Sequence, residues 1–353
     1  VRPTTRIRVL VVDDSAFARK VVREVLEADR RFDVVGIARD GLDALEKTTE
    51  LQPDVVTLDL MMPNLDGVGY LRALPGLAVP KMPRVVVVTM SDDSSEVAVT
   101  ALQAGAVALV HKPTALATDR LFEMGQELRE AVASAAAATV NTMRTASALA
   151  TAVATPDGVR PVATASSIRL VAIGASTGGP QAITSVLAAL PADYSVPVVV
   201  ALHMPVGYTN ALAKRLDGAC ALEVIEAYDG IELVPGRAVI ARAGMHLKIR
   251  AGNPLRGAVD LVPMNKPHRP SVDVLFETAA EAVGAACIGV VLTGMGDDGT
   301  LGAGALHAAN AIVLTEAESS CVVYGMPRAV KEAGLSTLQL PLEAMAAELR
   351  RRA

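Results

Sequence analysis

The sequence predicts an α/β protein built from two doubly wound, parallel-sheet domains in series, and three observations carry that prediction. Short β-branched runs alternate with segments of helical period from residue 8 to about 112. The alternation lapses between 118 and 167, then resumes from 168 onwards. At 353 residues the chain is long enough for two or three domains, each with a core of its own.

In the first half, RVLVVDD (8–14), DVVGIA (33–38), VVTLDL (55–60), RVVVVTM (84–90) and AVALV (106–110) have strand length and composition, giving five strands. AFARKVVREVLEA and GLDALEKTTEL between them recur at helical spacing. Parallel neighbours need a crossover on one face of the sheet, so strands alternating with helices give a doubly wound fold. From 118 to 152 one helix fades into Ala, Ser and Thr, and ATPDGVRPVATASS (154–167) has no apolar period. The expected division is a first domain at 5–128, a flexible linker at 129–167 and a second domain at 168–350. In that second domain IRLVAIG, VPVVVAL, GRAVIA, CIGVVLT and AIVLT read as strands. PQAITSVLAAL, SVDVLFETAAEAV and LGAGALHAA read as helices.

Composition narrows the function. Hydrophobic residues at 51% exclude a disordered chain, and a net charge of −5 argues against bulk attraction to nucleic acid or anionic lipid. The uncharged stretch 170–192 is broken by Gly178, Gly179 and Pro180, so no membrane insertion is expected. VRPTTRIRVLVV leads into a strand rather than reading as a signal peptide. Three cysteines, odd in number and without a CxxC, are expected as reduced, small buried hydrophobes in a cytoplasmic protein.

Open parallel sheets form their sites beyond the carboxyl ends of the strands. There the first half places Asp13 and Asp14, Asp59, Thr89 and Lys112, each closing a different strand or strand pair. Converging carboxylates repel unless a cation joins them, and Mg²⁺ suits clustered oxygen ligands. An ammonium beside them suits a phosphoryl oxygen. His111, next to Lys112, reads as a solvated neighbour. VVDDS, LDLMMPNLDG, VVTMS and HKP resemble the marks of a response-regulator receiver domain over about 120 residues. That resemblance implies Asp59 as phosphoryl acceptor, Asp13, Asp14 and Asp59 around Mg²⁺, and Thr89 and Lys112 on the phosphoryl oxygens. It also implies a histidine kinase as phosphodonor. Leu109 stands where receivers usually carry an aromatic, three residues before the lysine.

The second half opens on VAIGASTGGP (171–180). No Lys follows the glycines, so the loop is not a Walker phosphate cradle, and its glycine spacing does not fit a dinucleotide fingerprint. GASTG does fit G-x-S-x-G, a turn that exposes a Ser hydroxyl above a sheet. Ser176 needs a base, and the base an orienting acid. Of five histidines, His203 directly follows VPVVVAL, so adjacent parallel strands would bring it to the edge where Ser176 emerges. His246 and His268 sit in strand-end or loop contexts and read as structural; His307 lies inside a helix. VVLTGMGDDGT ends a third strand in Asp297 and Asp298, either of which could orient the base or cap the helix that follows.

IGASTGGP, LHMPVGYT, EAYDGIELVPG, RPSVDVLF, VVLTGMGDDG and SSCVVYGMP together resemble the catalytic domain of the chemotaxis protein-glutamate methylesterases, the CheB family, over nearly all of 168–350. The resemblance implies Ser176 as nucleophile, His203 as base and Asp298 as orienting acid, with amides at Thr177 and Met295 as oxyanion donors. It implies hydrolysis of glutamyl methyl esters and deamidation of glutamines on cytoplasmic chemoreceptor helices, under control of the receiver and with no cofactor in the catalytic domain. Two other readings stay open at this stage. One is the same chemistry on receptors outside taxis; the other is a response regulator with a non-catalytic binding domain.

Overall fold

The computed structural model describes residues 6–89, 95–112, 118–137 and 168–353. The first unit is a five-stranded sheet of β1 (Ile7–Val12), β2 (Phe32–Ala38), β3 (Val55–Leu58), β4 (Arg84–Thr89) and β5 (Ala108–His111), in the order β2-β1-β3-β4-β5. Every pairing in it is parallel. The crossovers are α1 (Ala16–Glu27), α2 (Gly41–Leu51), α3 (Gly67–Ala73) and α4 (Ser95–Gln103), and α5 (Thr118–Ala137) follows β5. Successive strand residues point to opposite faces. Val9 and Val11 therefore pack with Leu26, Leu128 and Val132 of α1 and α5, whereas Leu10 and Val12 pack with Ala44, Tyr70 and Leu102 on the other side.

The second unit is a seven-stranded sheet, also parallel throughout. Its strands in chain order are β6 (Leu170–Ala175), β7 (Val198–Leu202) and β8 (Glu223–Glu226), then, beyond β9 (Glu232–Leu233), β10 (Arg237–Ile240). After β11 (His246–Arg250) and β12 (Leu255–Asp260) come β13 (Cys287–Val291), β14 (Ile312–Glu316) and β15 (Leu338–Leu340). The order is β15-β14-β13-β6-β7-β10-β8. One face carries α6 (Gly179–Ala188), α7 (Thr209–Asp217) and α11 (Leu342–Arg352) over Val171 and Ile173. The other carries α8 (Val272–Val283), α9 (Thr300–Ala308) and α10 (Met326–Glu332) over Leu170 and Ala172. No described helix is long and apolar enough to cross a membrane.

The structure departs from the sequence expectation in several places, among them β8 and β15, which take the second parallel sheet from five expected strands to seven. Residues 129–137, expected within the linker, continue α5, because Leu128, Val132 and Ala135 recur on one face and are buried in the first core. The remainder of the expected linker, 138–167, lies outside the described residues. Strands β9, β11 and β12 form an unexpected three-stranded antiparallel sheet, with Leu247, Ile249 and Leu255 turned into the second core.

The two units share an interface made by α4, β5 and α5 of the first. Gly178 N donates to Val107 O at 3.0 Å and Gln181 Nε2 to Ala106 O at 3.0 Å. Arg215 Nε donates to Gln103 Oε1, while Tyr208 is buried in the first unit's core.

Candidate active site and acidic cluster

Strand order places the second site. β6 lies between β13 and β7, and in register Ile173 pairs with Val200 and Gly174 with Val291. The residues just beyond these three strands therefore emerge side by side at the point where the chain switches direction across the sheet. Ser176 follows β6, His203 follows β7, and the loop ending in Asp298 follows β13. Ser176 N donates to Thr293 O at 3.0 Å and His203 N to Ala175 O at 3.1 Å, which pins the backbone of both. Gly178 turns the chain into α6 at φ +79°, a conformation that disfavours a side chain. A Cβ on Gly294 would stand 2.7 Å from Ser176 Cβ, so only glycine lets these loops meet.

His203 Nε2 lies 2.8 Å from Asp298 Oδ2. A carboxylate only accepts, so Nε2 carries the proton, and Nδ1 is left as the basic nitrogen. Nδ1 is buried and has no hydrogen-bond partner among the described residues. Asp298 is fixed from the other side by the start of α8. Its Oδ1 accepts from Ser271 Oγ at 2.9 Å and Asp273 N at 3.0 Å, and its Oδ2 accepts from Val272 N at 2.7 Å. Burial would raise this carboxyl, but the bond to His203 and the α8 amides outweigh it and hold it far below the ordinary aspartate value. Asp298 thus caps α8 rather than α9. Asp273 makes the reciprocal contact, accepting from Gly299 N and Gly302 N at 2.9 Å each at the start of α9. Asp297 is exposed.

Ser176, Thr177, His203, Met295 and Gly296 line one crevice of about 670 Å³, closed on the far side by Val107, Leu109 and α5 of the first unit. Sequence reasoning missed His268 here. Its ring stacks on that of His203, with centroids 4.0 Å apart and planes 19° apart. His268 is exposed by its surface, yet the atoms packed around its ring, aided by the neighbouring imidazole, push it down to about 4. His246 is structural as expected: it accepts from Ser271 N at 3.2 Å and donates to Pro263 O at 3.1 Å, buttressing Ser271 beneath Asp298. Ser271 as N-cap marks this helix start in the sequence, but no local pattern records that it faces the sheet edge.

At the first site Asp13, Asp14 and Asp59 offer oxygens that all lie within 4.8 Å of one another. Lys112 Nζ reaches Asp13 Oδ2 at 2.7 Å and Asp59 Oδ2 at 2.8 Å. Burial works against a charge on Lys112, but the two carboxylates outweigh it and raise the ammonium above the ordinary lysine value. Burial raises the Asp59 carboxyl, with Lys112 only partly offsetting it and Asp13 adding to it. Asp59 Oδ1 also accepts from Leu60 N at 2.8 Å. Thr89 is buried at the end of β4, where its carbonyl accepts from Lys112 N at 2.8 Å. His111 is not a solvated neighbour: it is half-buried against Tyr208, with Nε2 3.2 Å from Val206 O of the second unit.

Residues 171–349 match the CheB methylesterase family, and residues 9–124 match the response regulator receiver domain. The chain is 58% identical over 347 residues to a Myxococcus xanthus protein named protein-glutamate methylesterase/protein-glutamine glutaminase 5, covering 98% of this chain and 97% of that one. A protein of the same activity name from Symbiobacterium thermophilum is 42% identical, with 96% and 95% covered. The crystal structure of the Thermotoga maritima CheB methylesterase catalytic domain superposes with a TM-score of 0.52 at 39% identity, covering 53% of this chain and 100% of that chain.

Proposed function

The chain belongs to the CheB methylesterase family, with a receiver domain at its front, and on that premise we propose that it hydrolyses glutamyl methyl esters on chemoreceptor helices under control of phosphorylation at Asp59. The single observation that carries the chemistry is the His203–Asp298 pair beside Ser176 on three adjacent strand ends. Ser176 Oγ attacks the ester carbonyl while His203 Nδ1 takes its proton. Asp298, already saturated by fixed donors, stays ionised and stabilises the imidazolium that forms. Amides at Thr177 and Met295 face the developing oxyanion. The imidazolium returns the proton to the departing methanol. Water then attacks the acyl-Ser176, losing its proton to the same Nδ1, and glutamate is released. A glutamine side chain follows the same course with ammonia as the leaving group.

Asp13, Asp14 and Asp59 form an all-oxygen donor set close enough to hold Mg²⁺. When bound, the ion supplies positive charge against the phosphoryl oxygens. Asp59 accepts the phosphoryl group from a histidine kinase, and Lys112 and Thr89 contact its oxygens. Unphosphorylated, the receiver covers the crevice; phosphorylation shifts the population towards an uncovered state. Methanol release from a methyl-esterified receptor fragment tests the chemistry. Ser176→Ala should lower it by about 10⁴-fold or more. An unchanged rate in that variant would remove Ser176 from the mechanism.

A further inference from the structure

α5, together with Leu102 and residues 107–110, is receiver structure that lines the crevice holding Ser176 and His203. Gln126, Glu127, Glu130, Ala131 and Ser134 all line that crevice. Positions 127, 130, 131 and 134 fall on one helical face, beside the stripe of Leu128, Val132 and Ala135 buried in the receiver core. Ser134 is buried, and its Oγ donates to Thr177 Oγ1 at 3.1 Å, one residue past the nucleophile. Glu130 is held at the rim by Arg31, 3.3 Å away. The crevice is otherwise largely apolar, with Leu102, Val107, Leu109 and Pro205 in its walls. Gln126 and Glu127 stay exposed while lining it.

The side chains placed there are those the enzyme acts on and leaves behind: Gln126 has the amide substrate's head, and Glu127 the product's. Resting on the function proposed above, we propose that the crevice is a helix-binding surface and that α5, lining it, is an internal stand-in for the substrate helix, presenting Gln126 and Glu127. A receptor helix docks the same way, with its reacting side chain two turns before a small residue that rests on Thr177, where Ser134 sits now.

The test uses the full chain without phosphodonor, acting on a methylated receptor fragment and, in parallel, on 4-nitrophenyl acetate, which needs no helix to dock. Replacing Gln126 and Glu127 by Met keeps side-chain length and removes both carbonyl heads. The exchange Gln126→Glu with Glu127→Gln keeps both heads. The Met pair should lower KM for the receptor fragment by about 5-fold or more, while the exchanged pair stays within about twofold of wild type. A Met pair with unchanged KM, or an exchanged pair that matches it, makes α5 a plain cover and overturns the proposal. A second measurement needs no variant. A peptide of residues 118–137 added to the phosphodonor-stimulated wild type should raise the apparent KM for receptor at constant kcat. Lack of competition at millimolar peptide contradicts the proposal. Should the wild type cleave the nitrophenyl ester but release no methanol, the receptor reading fails by itself. Inhibition of nitrophenyl ester turnover by the peptide, or its absence, then still decides the role of α5.

Discussion

Asp59 and Asp298 are both buried aspartates beyond the carboxyl end of a parallel strand, one in each sheet. Among the described residues Asp59 has one backbone amide and one ammonium, shares that ammonium with Asp13, and has its carboxyl raised by burial. Asp298 receives two amides and a hydroxyl from the start of α8, plus the imidazole of His203, and its carboxyl is held far down despite burial. Burial is common to both, so the number of fixed donors decides the sign. A carboxylate saturated by donors is a permanent charge, suited to orienting a base. One left short of donors is suited to accept an electrophile when further positive charge arrives.

The comparison breaks first at Asp298. Asp298→Asn keeps the shape but loses the acceptor that fixes the Nε2–H tautomer, and should lower kcat for methanol release by about 10³–10⁴-fold. It also removes a negative charge from the start of α8, costing about 1–2 kcal/mol of stability by thermal or urea unfolding. The sign with pH follows from the depressed carboxyl. Its stabilisation is fully present above the unfolded value of 3.8 and is lost only as pH falls through the lower folded value. The stability gap between wild type and Asp298→Asn should therefore stay flat from neutral pH down to about pH 4. A gap that closes between pH 7 and 5 would contradict a saturated Asp298.

A smaller effect is expected where the two units meet. Gln181 Nε2 donates to the carbonyls of both Leu102 and Ala106 across the interface. Gln181→Ala should raise the unstimulated rate roughly 3-fold, the weight of about one net hydrogen bond, and leave the phosphodonor-stimulated rate alone. Equal changes in both rates would show that the contact shapes the catalytic unit rather than the cover.

The smallest effect concerns His268. The unfolded chain protonates this ring near 6.5, whereas the folded ring resists protonation down to about 4. Stability is thus fully present above the unfolded value and is lost as pH falls from there towards 4. Because His268 is exposed, the loss is well below that of an enclosed histidine. His268→Phe, which keeps the stack, should lose less thermal stability than wild type on going from pH 7 to pH 5. Identical shifts would mean that His268 titrates freely.

Much of this arrangement was legible in the sequence. The β-branched runs marked the expected strands, and acids or hydroxyls directly after them marked both sites, because parallel strand ends are where open sheets converge. Ser176 and His203 could be paired because each follows a strand without a break. Local chemistry could not separate Asp297 from Asp298: adjacent residues in a glycine loop are told apart only by the start of α8, which approaches from elsewhere in the chain. The environment of His111 was missed for a similar reason. Tyr208 and Val206 reach it from the other unit, and no periodicity near His111 records that packing. The end of α5 was placed too early because its Ala-rich last turns resemble a tether, although Val132 and Ala135 keep the buried stripe.

If the proposed function is right, chemistry at one strand-end site governs chemistry at the other. Methanol release from methylated receptor, measured with and without a small phosphodonor and Mg²⁺, tests it in the wild type and in Asp59→Asn. Stimulation of at least about 10-fold is expected in the wild type and none in Asp59→Asn, with equal unstimulated rates in the two. Stimulation that survives the loss of Asp59, or a wild-type rate indifferent to phosphodonor while Asp59 is phosphorylated, would contradict it.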